Sequence, residues 1–368
     1  MSRINELIEK LCPNGVEYKE LGEAVNILDN LRKPISKEKR TKGNYPYYGA
    51  NGIQDYVLDY IFEGTFLLMG EDGSVIKKDG SPILNWATGK IWVNNHAHVL
   101  SEKRNIALLR FIFYYLSTID VTLIVHGTPP KINQANLRSI TIPIPPLEIQ
   151  EEIVRILDNF TALEAELEAE LEARKKQYEY YRNKLLSFEG KDVEWKTLGE
   201  VCTFEYGKSL KESERKGGIY PVMGSNGKVG LHDVFLVSGP CIIVGRKGSA
   251  GAINWVDENC YPIDTTYYLN LKTNKIDLRF LYQYLISIGL TPETKSGGVP
   301  GLNRNEAYQK NIPLPSLSEQ KRIVDILDKF DSLVNDISIG LPAEIEARRK
   351  QYEYYRGKLL SFKEINNG

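Results

Sequence analysis

The chain has 368 residues, 42% of them apolar and 26% charged, which is typical of a globular protein and long enough for two domains with cores of their own. It contains no run of 18 apolar residues and no signal-like apolar segment at its start, so we expect a cytoplasmic protein that does not enter a membrane. The net charge of −1 excludes a strongly basic protein, and four dispersed cysteines without C-x-x-C spacing (Cys12, Cys202, Cys241 and Cys260) indicate reduced thiols in packed strands, not a zinc site or a disulfide framework.

The first 145 residues consist of short apolar or alternating segments separated by Gly, Asn and Asp, a pattern that predicts strands and turns. The predicted strands are YPYYG (45–49), TFLLM (65–69), SVIKK (74–78), KIWV (90–93) and HAHVL (96–100). A longer apolar stretch, IALLRFIFYYLS (106–117), predicts a helix after them. We therefore predict that this first block is an α+β domain.

A long helical segment follows, at residues 146–190. From Ile149 to Phe188 its apolar and aromatic residues recur at mostly alternating steps of three and four, which is typical of a coiled-coil seam. Two consecutive steps of four, from Leu163 to Leu171, insert a stutter. Since ALEAELEAELEA is rich in strong helix formers, we predict one continuous helix of about 60 Å that needs a partner helix to cover its apolar stripe.

The second half of the chain repeats the first. The longest match joins EARKKQYEYYRNKLLSF (172–188) to EARRKQYEYYRGKLLSF (346–362), which we call the two tyrosine phrases. The other matched phrases, in the same order in both halves, are VEYKELGE and VEWKTLGE (16–23, 193–200), YPYYGANG and YPVMGSNG (45–52, 220–227), GTFLLMGEDGS and GPCIIVGRKGS (64–74, 239–249), and IPIPPLEIQ and IPLPSLSEQ (142–150, 312–320). IDLRFLYQYLIS (276–287) corresponds to the predicted helix of block one. This duplication predicts two similar α+β domains related by a pseudo-twofold axis.

The second helical segment, residues 317–368, differs from the first by an insertion. Phe160 and Tyr178 are 18 residues apart, whereas Phe330 and Tyr352 are 22 apart. The extra residues lie in a stretch with Gly340 and Pro342, a pattern that ends one helix and starts another. We predict a break there, and antiparallel packing of the two helical segments.

The charge distribution assigns any DNA contact to the two blocks. Residues 1–145 carry +2 (17 Lys/Arg − 15 Asp/Glu) and residues 191–316 also carry +2 (15 − 13), whereas residues 146–190 carry −5 (6 − 11). At matched turns the polar loops differ, GEDGSVIKKDGS against GRKGSAGAIN, which indicates equivalent surfaces for different targets. Because Arg and Asn read base edges and Lys binds phosphates or guanine, the candidate DNA-binding residues are Asn51, Lys77, Lys78, Lys90, Asn226, Lys228, Arg246, Lys247 and Ser249.

The tyrosine phrases permit two interpretations. Tyr178, Tyr181, Tyr352 and Tyr355 lie on the apolar stripe and fit packing between the chain's own helices. Tyr180 and Tyr354 lie off that stripe, yet the phrase is almost identical in both copies, which fits a surface for two identical partners. The candidate partner-binding residues are Tyr178, Tyr180, Tyr181, Arg182, Tyr352, Tyr354, Tyr355 and Arg356.

The sequence contains no motif that predicts a catalytic residue or a metal ligand. GKS at 207–209 lacks a Walker P-loop glycine, since Cys202 occupies that position. No aromatic-flanked Asn/Asp-Pro-Pro of an amino-methyltransferase is present. His96 and His98 share the face of a predicted strand, but no carboxylate or cysteine stands at metal-ligand spacing.

The framing phrases V-E-[YW]-K-x-L-G-E and I-P-[IL]-P-x-L-x-x-Q, with Y-E-Y-Y-R-x-K-L-L-S-F closing each helical segment, resemble the specificity subunit of type I restriction-modification systems over essentially the whole chain. The resemblance implies target recognition domains at 1–145 and 191–316 and conserved helical spacers at 146–190 and 317–368. Each domain would read one half of a bipartite sequence in double-stranded DNA. The helices would set the spacing and dock two modification subunits.

The resemblance also implies that chemistry resides in the partners. Modification subunits would bind S-adenosylmethionine and methylate adenine, and restriction subunits would use ATP and Mg²⁺ for translocation and cleavage, so no cofactor is expected in this chain. The helical insertion departs from a strictly twofold arrangement. Two alternatives stay open at this point: a non-catalytic protein-binding adaptor on a coiled-coil scaffold, and an enzyme whose site the motif search missed.

Overall fold

The structure is a computed structural model that describes residues 2–292, 301–336 and 338–365. The helices and strands of the first half are α1 (Ser2–Leu11), β1 (Glu17–Glu20), α2 (Leu21–Ala24), β2 (Val25–Ile27), β3 (Lys42–Gly49), β4 (Gly52–Val57), β5 (Phe62–Gly70), β6 (Leu84–Val93), β7 (Ala97–Glu102), α3 (Leu109–Leu116), α4 (Gln134–Arg138), β8 (Thr141–Ile144) and α5 (Leu147–Leu185). Those of the second half are β9 (Glu194–Thr197), α6 (Leu198–Val201), β10 (Cys202–Tyr206), β11 (Tyr220–Gly224), β12 (Gly227–His232), β13 (Cys241–Gly245), β14 (Ile253–Val256), β15 (Tyr261–Pro262), β16 (Thr266–Leu271), α7 (Leu278–Ile288), α8 (Arg304–Ala307), β17 (Asn311–Leu314), α9 (Leu317–Asn335) and α10 (Leu341–Leu359). Both halves are α+β, as predicted.

The chain folds into two units, and each unit takes its tyrosine phrase from the other half of the sequence. Unit 1 comprises Met1–Glu166 with Ile345–Gly368, and unit 2 comprises Leu167–Glu344. The helix that leaves block one therefore ends in unit 2, and the last helix of the chain belongs almost entirely to unit 1. The division predicted from the sequence, with recognition domains at 1–145 and 191–316 and helical spacers at 146–190 and 317–368, stays a prediction.

Unit 1 contains a six-stranded sheet in the order β2-β7-β5-β6-β3-β4. Its strand β5 is buried on both faces, because Leu67 and Met69 belong to one core cluster and Phe66 and Leu68 to another. Alternate residues of a strand point to opposite faces, so an unbroken apolar run such as TFLLM fits a strand with a core on each side.

Unit 2 has the same organisation with the sheet divided in two. The sheets have the orders β10-β16-β13-β14 and β12-β11-β15. Strand β13 corresponds to β5: Ile242 and Val244 face one cluster, whereas Cys241 and Ile243 face another. The equivalent strand thus carries a core on each face in both units.

The two phrases that frame each block pair with each other as strands. In unit 1, β1 and β8 are antiparallel with Tyr18 opposite Pro143, and in unit 2, β9 and β17 match this register with Trp195 opposite Pro313. Each block is therefore closed at its base by its own opening and closing sequence.

The glutamine of the closing phrase explains why that phrase recurs. Gln150 is fully buried; its Oε1 accepts from Leu108 N at 2.8 Å, and its Nε2 donates to the Pro145 carbonyl oxygen at 2.7 Å. Gln320 accepts from Asp277 N at 2.7 Å in the same way. Replacing either glutamine would remove the hydrogen-bond partner of the backbone N–H of Leu108 or Asp277, just before α3 or α7. The glutamine of the closing phrase therefore has a structural role in both units.

A second duplicated contact joins each block to the helix that follows it. The Arg110 guanidinium lies 5.0 Å from the centre of the Trp86 ring, and its Nε donates to Asp158 of α5 at 2.8 Å. Arg279 of α7 bonds Asp328 of α9 at 2.9 Å in the equivalent position. These contacts fasten the domain helix to the long helix in both units.

The helical predictions are confirmed in two respects. Helix α5 is continuous over 39 residues, whereas the second segment is interrupted between Asn335, where α9 ends, and Leu341, where α10 begins. Within unit 1, α5 and α10 are antiparallel: Phe160 stacks on Tyr355 at 5.7 Å, and Glu164 bonds Arg349 at 2.5 Å. No helix among residues 2–292, 301–336 and 338–365 is long and apolar enough to cross a membrane.

The prediction of a strand over residues 74–78 is wrong. The chain turns there, because Lys77 N donates to the Ser81 carbonyl oxygen at 2.8 Å and Gly80 N to that of Lys77 at 3.1 Å. Asp79 Oδ1 accepts from Ser81 N at 3.0 Å, so local side-chain bonding favours a turn over a ladder. Ile76 makes only an isolated bridge with Pro82.

Candidate nucleic-acid interface

Each unit presents an asparagine at the tip of a tight hairpin, which we call the hairpin turn (residues 49–52 and 224–227). The strands before and after it pair at Gly49–Gly52 in unit 1 and at Gly224–Gly227 in unit 2. Gly52 and Gly227 adopt φ of 99° and 109°, which a side chain disfavours. Asn51 and Asn226 precede these glycines, and each is exposed to solvent at the tip of its hairpin.

A second loop lies against each hairpin turn. We call it the GxxGS loop (residues 70–74 and 245–249). A Cβ on Gly70 would lie 2.6 Å from the Ser74 carbonyl oxygen and 3.4 Å from that of Ala50. A Cβ on Gly245 would lie 2.1 Å from the Ser249 oxygen and 2.7 Å from the Ser225 oxygen. The absence of a side chain at the first glycine lets both loops meet.

The lysines predicted for block one occupy two separate places. Lys77 and Lys78 are exposed in the β5–β6 connection that begins with the GxxGS loop. Lys90 lies at the other end of the β5–β6 pairing, opposite Glu63, with its Nζ 4.6 Å from the centre of the Tyr60 ring. A hydrogen bond from Lys90 to Tyr60 and the charge of Glu63 raise the pKa of this lysine.

Behind the GxxGS loop of unit 1, a histidine lies among carboxylates from distant parts of the chain. His98 Nδ1 lies 2.6 Å from Asp29 Oδ2 and 3.6 Å from Glu71 Oε2, and His98 Nε2 lies 2.8 Å from the Ile132 carbonyl oxygen. No carboxylate stands at metal-ligand spacing from His98 in the sequence, but the fold brings Asp29, 69 positions away, into contact with it. His96 departs from the prediction: it precedes β7, is exposed and contacts Asp72.

Two cations complete this buried network. Arg32 Nη1 lies 2.5 Å from Glu71 Oε2, and Lys131 Nζ lies 3.1 Å from Glu71 Oε1. Ligand atoms of Asp29, Glu71 and His98 lie within 4.8 Å of one another, a spacing that fits a metal ion. However, Arg32 and Lys131 already neutralise the carboxylates, and both His98 nitrogens face oxygen acceptors. The network is therefore internally compensated.

The pKa of Asp29 is lowered within the network. Burial by itself raises the pKa of this carboxyl, but hydrogen bonds from His98 and from Val99 N, together with the charges of His98 and Arg32, outweigh it. Asp29 is consequently held ionised next to the loop.

The GxxGS loop of unit 2 has a different chemistry. Arg246 Nη1 donates to the Asp264 carbonyl oxygen at 3.0 Å, and the guanidinium lies 4.9 Å from the centre of the Tyr206 ring. Lys247 and Lys228 are exposed, and Ser249 is half-buried. Arg246 is thus held in a defined orientation on an aromatic face.

In unit 2, two tyrosine rings of the tyrosine phrase pack against Phe330 of helix α9, and the third ring is exposed. Tyr178 is buried and stacks on Phe330 at 6.2 Å, and Tyr181 stacks on the same ring at 5.6 Å. Tyr180 is 59% exposed. Burial raises the pKa of Tyr178 to about 12.

Unit 1 repeats this arrangement with the other copy. Tyr352 and Tyr355 lie 6.2 Å and 5.7 Å from the Phe160 ring, while Tyr354 is 65% exposed. The Arg356 guanidinium lies 5.3 Å from the centre of the Tyr352 ring, as Arg182 does at 5.4 Å from Tyr178. Helix packing therefore uses the first and third tyrosines of each phrase and leaves the second outside.

Comparison with known proteins identifies the family. The model of the type I restriction modification DNA specificity domain matches residues 13–173 and 190–347. The chain is 38% identical to a putative type I restriction enzyme specificity subunit of Haemophilus influenzae, over 98% of this chain and 100% of the relative. It is 33% identical to a type I restriction enzyme specificity subunit of Escherichia coli, over 98% of each.

The chain belongs to the type I restriction-modification specificity subunits. The fold agrees: the crystal structure of an S subunit from M. genitalium superposes with a TM-score of 0.65 at 18% identity, covering 94% of this chain and 96% of that one. Each matched domain of this specificity subunit covers nearly all of one block and most of the helical segment that follows it. A protein-binding adaptor is not favoured.

The structure of the specificity subunit brings some predicted residues together and separates others. Asn51 lies beside the GxxGS loop of unit 1, and Asn226 and Arg246 belong to the corresponding turn and loop of unit 2, whereas Lys90 lies elsewhere. The assignment of these residues to DNA stays a prediction. In the same way, partner binding stays a prediction for the tyrosine phrases, and the exposed Tyr180 and Tyr354 are its best-placed members.

Two further residues lie at the unit 2 surface beside Arg246 and were not predicted from the sequence, Tyr206 and Arg304. The Arg304 guanidinium lies 5.1 Å from the centre of the Tyr206 ring, on which Arg246 also lies. Alignment of the two halves contained a signal, because Tyr206 falls eight residues after Leu198 as Asp29 falls eight after Leu21. A change from Asp to Tyr within a preserved framework marks a position whose chemistry was exchanged.

Proposed function

We propose that the two recognition domains of this specificity subunit each read one half of a bipartite DNA sequence. One observation carries the proposal: in both units the same hairpin turn meets the same GxxGS loop, while the side chains on the loop differ. Asparagine at the tip suits adenine, and the loop offers Glu71 and Asp72 in unit 1 against Arg246 and Lys247 in unit 2. A preserved framework with exchanged side chains supports recognition of two different half-sites.

The remaining subunits of the system supply the chemistry in this proposal. The specificity subunit itself is non-catalytic. Modification subunits bind S-adenosylmethionine and methylate adenine, and restriction subunits use ATP and Mg²⁺. The duplicated exposure of Tyr180 and Tyr354, each beside an arginine stacked on a neighbouring tyrosine, supports docking of two identical modification subunits.

A domain exchange tests the proposal. Residues 191–316 are replaced by the corresponding domain of a relative with a different target, and the adenine methylation of the host genome is sequenced. We expect one half of the methylated sequence to change and the other half to persist. Exchange of residues 1–145 is the matched control and should change the opposite half.

Two results would contradict the proposal. Simultaneous change of both halves would show that the domains do not read independently. Methylation that is the same with and without this gene would favour the protein-binding adaptor.

A further inference from the structure

The buried network of unit 1 has a counterpart at the same positions of unit 2. His98 lies opposite Met69, one residue before the glycine of the GxxGS loop, and Tyr267 lies opposite Val244, also one residue before that glycine. Each side chain reaches a backbone oxygen: His98 Nε2 lies 2.8 Å from Ile132 O, and Tyr267 Oη donates to Leu302 O at 3.4 Å.

The other positions correspond as well. Glu71 and Arg246 each follow the first glycine of the GxxGS loop. Gln134 stands two residues after Ile132, and Arg304 stands two residues after Leu302. Asp29 and Tyr206 are also equivalent positions, and each is contacted in the same way: Gln134 Nε2 lies 3.1 Å from Asp29, and Arg304 lies over Tyr206. Four side chains under the loop have thus been exchanged together.

The exchange removes the carboxylates from these positions. In unit 1 each basic side chain of the network (Arg32, Lys131 and His98) lies beside a carboxylate of Asp29 or Glu71. In unit 2, Tyr206 and Tyr267 replace Asp29 and His98, and Arg246 replaces Glu71.

Two arginines consequently contact one tyrosine ring, with no carboxylate partner among the described residues. The guanidinium carbons of Arg246 and Arg304 lie 4.9 Å and 5.1 Å from the centre of the Tyr206 ring, which is 46% exposed. Within residues 2–292, 301–336 and 338–365, neither arginine forms an ion pair with a carboxylate. Both positive charges therefore lie within about 5 Å of one exposed ring, and an anion bound at this surface would compensate them.

We infer that Tyr206, Arg246 and Arg304 form a binding site for a DNA backbone phosphate in unit 2, and that unit 1 has no such contact at the equivalent position. This inference rests on the proposed DNA recognition. Contact with Tyr206 holds both guanidinium groups at the ring, and the planar fork of an arginine matches two phosphate oxygens. A guanine edge is neutral and compensates neither charge, whereas a backbone phosphate is an anion, so phosphate fits the pair better.

The salt dependence of DNA binding tests the site. The complete chain, purified with the modification subunits expressed beside it, is titrated with a cognate and an unrelated duplex between 50 and ~300 mM KCl. In Arg246→Gln/Arg304→Gln we expect affinity for both duplexes to fall by the same factor, roughly tenfold. The slope of log K against log salt should become shallower by about one.

Two variants act as controls. Arg246→Lys/Arg304→Lys keeps both charges and should keep the slope, which separates loss of charge from loss of folding. Gln134→Ala changes the unit 1 counterpart of Arg304 and should leave the slope unchanged, because unit 1 has no phosphate contact there.

An unchanged slope in the glutamine variant overturns the inference, as does a loss confined to the cognate duplex, which would indicate base reading. A wild-type complex that binds both duplexes equally would instead contradict the proposed sequence recognition, while the slope would still report on the phosphate site.

Discussion

At the scale of single residues, the first glycine of the GxxGS loop determines whether that loop can pack against the hairpin turn. A Cβ on Gly245 would lie 2.1 Å from the Ser249 oxygen and 2.7 Å from the Ser225 oxygen. Both neighbours are backbone atoms, which cannot rotate away. The substitution must therefore move the loop, the hairpin turn or both.

Gly245→Ala is expected to abolish methylation that depends on the half-site of unit 2, with a loss of about 1–3 kcal/mol in the free energy of unfolding. Methylome sequencing and urea denaturation measure the two effects. Gly357→Ala is the matched control, since open space surrounds a Cβ there; it should leave methylation intact and stabilise α10 by about 0.5 kcal/mol. Unaltered methylation in Gly245→Ala would show that this arrangement of the GxxGS loop is not required for recognition of the half-site.

The buried network of unit 1 makes stability depend on pH. The pKa of Asp29 is lower in the folded chain, so the unfolded chain takes up the proton first as pH falls. The contribution of Asp29 is complete above about pH 5 and is lost as pH falls through about 4 towards the folded pKa.

Asp29→Asn should lower the free energy of unfolding by about 3 kcal/mol at pH 7, because it leaves Arg32 and His98 with fewer charged partners. The difference from wild type should shrink near pH 3.5. Urea denaturation at both pH values measures it, with the exposed Asp59→Asn expected to stay within about 0.5 kcal/mol. A difference that does not vary with pH would exclude the ionised carboxylate as the cause.

At the scale of elements, helix α5 belongs to both units and passes between them at residues 166 and 167. Glu164 bonds Arg349 in unit 1, and Leu171 packs against the core of unit 2. The residues between these two anchors form the segment in which length can change while both anchors remain.

Deletion of residues 166–169 shortens the helix by about 6 Å, equivalent to roughly two base pairs of DNA. We expect the gap between the two methylated half-sites to change while both half-sites are retained, as read by methylome sequencing. Replacing Glu166, Leu167 and Glu168 by alanine, next to the native Ala169, keeps the length and should keep the gap. An unchanged gap after the deletion would refute a spacing role for α5.

At the scale of the whole molecule, the duplicated tyrosine phrases predict the composition of the complex. Tyr180→Ala and Tyr354→Ala should each remove one modification subunit, and the double variant should remove both, because each exposed ring supplies one equivalent contact. Native mass spectrometry counts the subunits. Tyr178→Phe, which changes a buried ring, should retain two; loss of both subunits from one single variant would show that the sites are not independent.

The sequence alone determined the duplication, the α+β class of both halves, the continuous α5 and the interruption between α9 and α10. These features depend on residues that are close together in the sequence. Apolar spacing, strong helix formers and the Gly340-Pro342 break each determine the structure of the segment in which they occur. The failure at residues 74–78 was also local, since Asp79 and Gly80 favoured a turn over the β-branched residues.

Tertiary structure alone decided which side chains meet. Asp29, Glu71 and His98 converge because β2, β5 and β7 are neighbours in one sheet, and Tyr206 gathers Arg246 and Arg304 from segments about 40 and 100 residues away. Sequence spacing describes periodic faces well, but contacts between distant strands depend on sheet order and register, which no local pattern encodes.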